Sequence, residues 1–342
     1  MSAQNQFLPR LFKRLAPFFI REHRLRSGWR VAFYLLASFL AFFFFALILG
    51  TAVSFAWLSR GVPPDGIPLL FEDFSTQPFN YPDVALAFII GRALISLGVI
   101  WVFRRWIDRR AFRKLGFQMP SGWLRELGAG FAFSFVGWGV IFILALAFGG
   151  ATIVGFAWNQ SDPGAILGAL LLGLFFNLLV GVAEEADARG YILQNLARGM
   201  RLKRAILLAS FYFGAAHLLN PGGGWLSTLG VFVAGILLAV GYVITRRLWF
   251  SIGMHAAWNF AQGPIFGFTV SGLGMGGLLR LKITGPEWLM GGAFGPEAGA
   301  LAVLLEIAMI WVLIAWKQGR LDGFKEFLSV FFAGWGDRHF PR

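Results

Sequence analysis

Glu184 and Glu185 stand side by side in an otherwise apolar stretch, and Arg189 follows Glu185 by four residues. Two later apolar stretches each carry one histidine, His217 and His255; the other two histidines, His23 and His339, lie in the tails. An ionisable side chain at the centre of a membrane helix costs roughly 2.5–3.5 kcal/mol by insertion scales. A carboxylate pair, an arginine and two histidines at membrane depth therefore read as working groups. A carboxylate beside imidazoles is the material of general acid–base hydrolysis. Two histidines and a glutamate are also a donor set for catalytic zinc, so Glu184, His217 and His255 are candidate metal ligands as well. The chain lacks HExxH, and the residues alone leave both chemistries open, with a mechanism free of tightly bound metal slightly preferred.

Spacing assigns partners. Glu185 and Arg189 are i and i+4, share a helix face and can pair, which would leave Glu184 the freer carboxylate. Asn177, seven residues before Glu184, falls on the same face as Glu184. Phe213 and His217 are again i and i+4, as are His255 and Asn259. Read singly, each group has a plain alternative: the acids and Arg189 mark a helix leaving the membrane, and each histidine is a hydrogen-bonded packing residue. Depth argues for the set. Glu184 lies roughly 21 Å of ideal helix before Arg198, His217 roughly 20 Å after Arg204, and His255 roughly 12 Å after Arg247. With those arginines at the cytoplasmic surface, all three groups reach the middle or inner half of the membrane, where water arrives from inside.

The elements that must position them are membrane helices. Of 342 residues, 57% are hydrophobic and 14% charged, with mean hydropathy +0.68; a soluble domain carries about a quarter charged residues. The expected fold is all-α, a polytopic membrane bundle of about eight spans, near 29–58, 84–103, 127–148, 165–196, 204–219, 225–245, 249–269 and 297–316. The fifth looks short and the fourth long. A net charge of +13 would suggest nucleic acid on a soluble domain. Here 26 of the 30 basic residues fall in 1–30, 104–125, 189–204, 246–247 and 317–342, which places both termini in the cytoplasm. No nucleic-acid partner is expected. There is no cysteine, which excludes disulfides, thiolate metal sites and a cysteine nucleophile.

The chain divides into a basic amphipathic segment, 1–28, N-terminal spans at 29–164, a chemical core at 165–270, a glycine-rich outer loop at 271–296, a last span and a tail at 317–342. Leu8, Leu11, Phe12, Leu15 and Phe19, and again Phe324, Phe327, Leu328, Phe331 and Phe332, repeat at helical spacing, so both ends are expected to lie as interfacial helices on the bilayer. No cleavable signal peptide is expected, because the first apolar run is too long for one. Arg92 and Glu306, both inside spans, are read as structural, either paired with each other, paired separately (for instance Arg92 with Asp187) or snorkelling.

The order EExxxR, FxxxH, HxxxN on successive membrane segments resembles the CPBP family, the CAAX proteases and bacteriocin-processing enzymes, whose eukaryotic relatives include the type II CAAX prenyl endopeptidases. The resemblance rests on Glu184, Glu185, Arg189, Phe213, His217, His255 and Asn259 and covers about 165–265. It implies an intramembrane peptide hydrolase, described in the family as either glutamate-dependent or metal-dependent. Glu184 would activate a water with help from His217, His255 and Asn259 would donate to the oxyanion, and Glu185 and Arg189 would hold the geometry. One departure stands out: Asp187 and Ala188 fill positions where family members often carry a bulky apolar residue before the arginine. The expected substrate is a membrane-associated protein or peptide. The basic short loops suggest a bacterial inner membrane, with peptide maturation, regulated proteolysis or self-immunity more in keeping than prenylated substrates. A catalytically silent scaffold or immunity protein is the alternative, and a proton-coupled transporter the third reading; no repeated halves support the last.

Overall fold

A computed structural model describes residues 20–21 and 24–320. The two interfacial tail helices expected from the sequence fall largely outside the described residues. Among the described residues, six helices are long and apolar enough to cross a membrane: α1 (Ser27–Ser59), α3 (Pro82–Val102, extended as π-helix to Ile107), α4 (Trp123–Ala147), α5 (Pro163–Glu185, continuing through a π-helical stretch to Gly199), α7 (Trp225–Thr245) and α9 (Ala300–Lys317). A short α2 (Ile67–Thr76) lies between α1 and α3. The protein is a multi-pass helical membrane protein.

The other two expected spans are present but short. Helix α6 (Leu202–Ala216) has 15 residues and α8 (Leu248–Phe260) has 13, followed by a π-helical turn over Ala261–Ile265. These two elements carry His217 and His255. Helix α8 is buried from Leu248 to Asn259, enclosed by its neighbours and apolar apart from Ser251, His255 and Asn259. Its full length is not needed for lipid contact because α4 and α5 wrap it. The wrap depends on missing side chains. A Cβ at Gly130 of α4 would meet the Phe250 carbonyl, and one at Gly253 of α8 would meet the Leu127 carbonyl, so the two backbones touch. A Cβ at Gly181 of α5 would stand 3.2 Å from the Ile252 carbonyl, and one at Gly214 of α6 would meet the Thr228 carbonyl of α7. Small residues at crossings are how membrane helices gain packing where lipid tails offer no hydrophobic drive.

The last span begins three residues later than expected, at Ala300, because Pro296–Ala298 form a 3-10 turn and Gly299 is extended. The bundle also holds a small sheet that helical periodicity gives no hint of. Strand β1 (Ala151–Phe156) pairs antiparallel with β2 (Leu279–Ile283), Ala151 opposite Ile283 and Phe156 opposite Leu279. It ties the α4–α5 connection to the glycine-rich segment. That segment is structured: Gly274 donates to the Thr76 carbonyl at 2.7 Å, Asn220 donates to the Ser271 carbonyl at 3.1 Å, and Ser271 itself sits in left-handed conformation.

Candidate functional site

Helix α5 supplies the acids at the point where its winding changes. Regular α-helix ends at Glu185 and π-helix runs over Ala186–Leu193. A wider turn re-aims side chains, and such turns recur at functional positions. Glu185 is fully buried and accepts from Arg189 at 2.6 Å, the expected i, i+4 pair. Arg189 also donates to the Gly235 carbonyl of α7 at 2.9 Å, and its guanidinium lies over the Phe213 ring at 4.3 Å. The same Glu185 oxygen faces His255 Nδ1 at 2.9 Å. Glu185 thus joins α5 to α8, and Arg189 joins α5 to α6 and α7.

Glu184 takes the other direction. Its Oε1 accepts from Arg92 of α3 at 2.5 Å, while its Oε2 is buried and has no hydrogen-bond partner. Two imidazole nitrogens face that oxygen: His255 Nε2 at 3.7 Å and His217 Nε2 at 3.9 Å. The opposite nitrogen of each ring is engaged. His217 Nδ1 lies 2.8 Å from the Phe213 carbonyl, which only accepts, so the proton there is on Nδ1 and the Nε2 of the neutral ring is an acceptor. The Phe213 ring stands edge-on to both imidazoles, its centroid 4.9 Å from His217 and 5.8 Å from His255. Asn259, one turn beyond His255 on α8, opens onto the same space. The structure therefore brings Glu184, Glu185, Arg189, Phe213, His217, His255 and Asn259 together. It leaves Asn177 aside, bonded to its own helix at the Gly173 carbonyl.

Two pairings differ from expectation. Arg92 binds Glu184, not Asp187 or Glu306. Glu306 is fully buried on α9, and neither of its oxygens has a hydrogen-bond partner among the described residues. Helix α3 packs along α5, which puts Arg92 level with Glu184, whereas α9 packs against α7 and α4. Asp187, the departure within the motif, is bound by two phenols, Tyr34 of α1 at 2.6 Å and Tyr212 of α6 at 2.9 Å. Its hydrogen bonds fasten α1 and α6 to α5.

A chamber of about 920 Å³ opens beside these groups. Its walls are aromatic and apolar, with Phe39, Phe45, Phe74, Phe88 and Phe176 among them, and its polar end presents Arg92, Glu184, His217, His255 and Asn259. A smaller cavity of about 30 Å³ lies between His217, His255, Asn259, Ser134 and Glu297. That is room for about two waters. Glu297 was not singled out in the sequence. It is 4% exposed, accepts from Ser271 at 2.7 Å, and burial pushes its carboxyl up to about 7. Nothing in GPEAG announces such a residue; only the folding of the glycine-rich segment beneath α8 brings it in.

The candidate metal ligands Glu184, His217 and His255 stand wider apart than bound ligands would. Tetrahedral zinc with bonds of 2.0–2.1 Å spaces its ligand atoms about 3.3 Å apart, against 3.7 and 3.9 Å here, and Arg92 already holds one Glu184 oxygen. Among the described residues no group of three His, Asp or Glu side chains is arranged to hold a metal ion.

Residues 166–261 match the family model described as Rce1-like, type II CAAX prenyl endopeptidase. The matched segment contains all seven motif residues and excludes Tyr34, Arg92 and Glu297. No curated protein matches the chain.

Proposed function

We propose that this chain, whose 166–261 core belongs to the CAAX-protease family, is an intramembrane endopeptidase that hydrolyses a peptide bond of a membrane-associated protein or peptide with a glutamate-activated water. The observation that carries the reading is the convergence of two imidazole Nε2 atoms on the one unpartnered oxygen of Glu184. A water there gives its proton to Glu184 Oε2, with His217 Nε2 as second acceptor, and its oxygen attacks the scissile carbonyl. Arg92 pins Oε1, so the base presents a single oxygen. Asn259, and His255 when it carries both ring protons, donate to the oxyanion that develops. Glu184 then returns the proton to the departing amine, which closes the cycle. Glu185 and Arg189 keep His255 and Phe213 in register, and no step is assigned to a metal.

The apolar chamber suits a substrate segment or lipid-modified peptide presented from the bilayer. The arginine distribution supports cytoplasmic termini, and a bacterial inner membrane is the setting in keeping with it, with peptide maturation or regulated proteolysis as the use. The test is cleavage by full-length protein in proteoliposomes, with substrates found by comparing membrane proteomes of a deletion strain complemented by wild type and by Glu184→Gln. Glu184→Gln, His217→Gln and His255→Gln are each expected to lower cleavage by about 10²–10⁴-fold while the protein still accumulates. Full cleavage by Glu184→Gln would refute the assignment.

A further inference from the structure

Away from the chamber, where the N-terminal end of α1 meets the C-terminal ends of α3 and α5, one carboxylate is surrounded by arginines. Asp108 is fully buried and accepts from Arg30 at 3.3 Å, Arg104 at 3.3 Å and Asn195 at 3.4 Å. These contacts are long beside the 2.7–2.9 Å usual for charge-assisted bonds. One carboxylate is being shared by two guanidiniums, themselves 7% and 1% exposed. A third, Arg198, reaches the group through Asn195 Oδ1 at 3.3 Å, and Arg110, whose amide donates to the Arg104 carbonyl at 2.8 Å, lies within electrostatic reach of Arg104 and Arg198. Four positive charges thus face one negative charge. Two buried donors in the cluster have no partner among the described residues: Arg104 Nε and the Tyr191 hydroxyl, the latter within electrostatic reach of Asp108, Arg30, Arg104 and Arg198. Uncompensated charge behind a protein surface is costly, and a site built this way is completed by an anion.

We propose that this cluster binds a phosphate-ester oxyanion, the headgroup of an anionic phospholipid, at its rim. The rim is accessible, since Arg110 and Arg198 are exposed. Arg30 and Arg104 stand behind it and supply field without touching the ligand. The choice of a lipid over soluble phosphate comes from the adjoining surface. Trp101 and Trp106 pack edge to face at 5.2 Å, are 48% and 57% exposed, and continue into exposed Val102 and Ile107. An aromatic and apolar strip beside a basic pocket at helix ends is what acyl chains and a headgroup meet together. The site has a route to the proposed active centre: Tyr191 stacks on Tyr34 at 4.2 Å, and Tyr34 holds Asp187.

Full-length protein in zwitterionic detergent, titrated with phosphatidylglycerol, phosphatidylcholine or inorganic phosphate, tests this by native mass spectrometry and thermal midpoint. Phosphatidylglycerol is expected to stay bound and raise the midpoint. Its affinity should fall at least tenfold in Arg110→Gln/Arg198→Gln and hold in Arg125→Gln, an exposed arginine elsewhere. Both variants alter exposed side chains, so folding is a poor excuse for failure. Equal retention of phosphatidylcholine, or a double variant that behaves like Arg125→Gln, overturns the site. Inorganic phosphate that protects as well as phosphatidylglycerol at equal concentration assigns it to a soluble anion and overturns the lipid. None of these readouts depends on proteolysis.

Discussion

At the scale of single residues, the two adjacent glutamates do different work because their neighbours differ. Glu185 offers the same Oε1 to Arg189 and His255, both within 3 Å, and is a structural junction, its Oε2 having no partner among the described residues. Glu184 keeps its Oε2 unengaged and faced by two imidazole nitrogens. What keeps it so is Arg92, from a helix outside the family-matched segment. Removing that arginine frees Oε1 to rotate and leaves the base without a fixed aim, and misplacement on the order of 1 Å costs about 10²-fold in an oriented reaction. Arg92→Leu is therefore expected to cut cleavage by about 10–100-fold, with Arg92→Lys between it and wild type. The two are compared by kcat at saturating substrate, and wild-type kcat in Arg92→Leu would remove the arginine from the mechanism. Asp187 settles into a similar logic. Its bonds to Tyr34 and Tyr212 direct it to α1 and α6, so the acid inside the motif is engaged in helix anchoring.

At the scale of elements, the proposed site depends on how closely helices cross. His255 reaches Glu185 because α8 lies against α4 and α5 with glycine at the contacts. A side chain at Gly253 would overlap the Leu127 carbonyl, which belongs to backbone and cannot swing aside. Overpacking of this kind costs about 1–3 kcal/mol or more. Gly253→Val is expected to lower the thermal midpoint and to weaken cleavage together, because α8 must shift to make room; an unaltered midpoint would show that the crossing is looser than described. The π-helical turn after Glu185 belongs at this scale too. It lets one continuous helix direct Glu184 towards α3, Glu185 towards α8 and Asp187 towards α1 and α6. The seven motif residues were singled out by spacing, by depth and by the order of the motifs. The partners on α1 and α3 were not, since spacing orders residues along one helix and does not say which helix will lie beside it.

At the scale of the molecule, the glycine-rich segment and the sheet lock the floor of the site. Glu297 is the titratable group there, buried against Ser271, Gln262 and Trp258, with His255 and Glu306 within electrostatic reach. Its carboxyl is raised from 4.5 to about 7, so between those values the folded state holds a proton that the unfolded chain has released. Stability should then fall as pH rises from about 4.5 to 7, by up to about 3 kcal/mol, and level off above it. Thermal midpoints across that range are expected to show the slope in wild type and to lose it in Glu297→Gln. A slope that persists in the variant would move the effect to another group.

The sequence by itself determined that the chain is a multi-pass helical bundle, because apolar length and the solvation of charge are local properties that composition reports. It also determined which residues stand together along each helix, and their order carries the resemblance that the Rce1-like family model matches over 166–261. Tertiary structure decided the rest. It chose Arg92 as the partner of Glu184 and the two tyrosines as partners of Asp187. It left Glu306 without a hydrogen-bond partner among the described residues and folded Glu297 beneath α8. Those outcomes turn on which helix faces approach one another, and approach is set by small residues at crossings and by a sheet between segments more than a hundred residues apart. Neither leaves a period in the sequence from which a partner can be read.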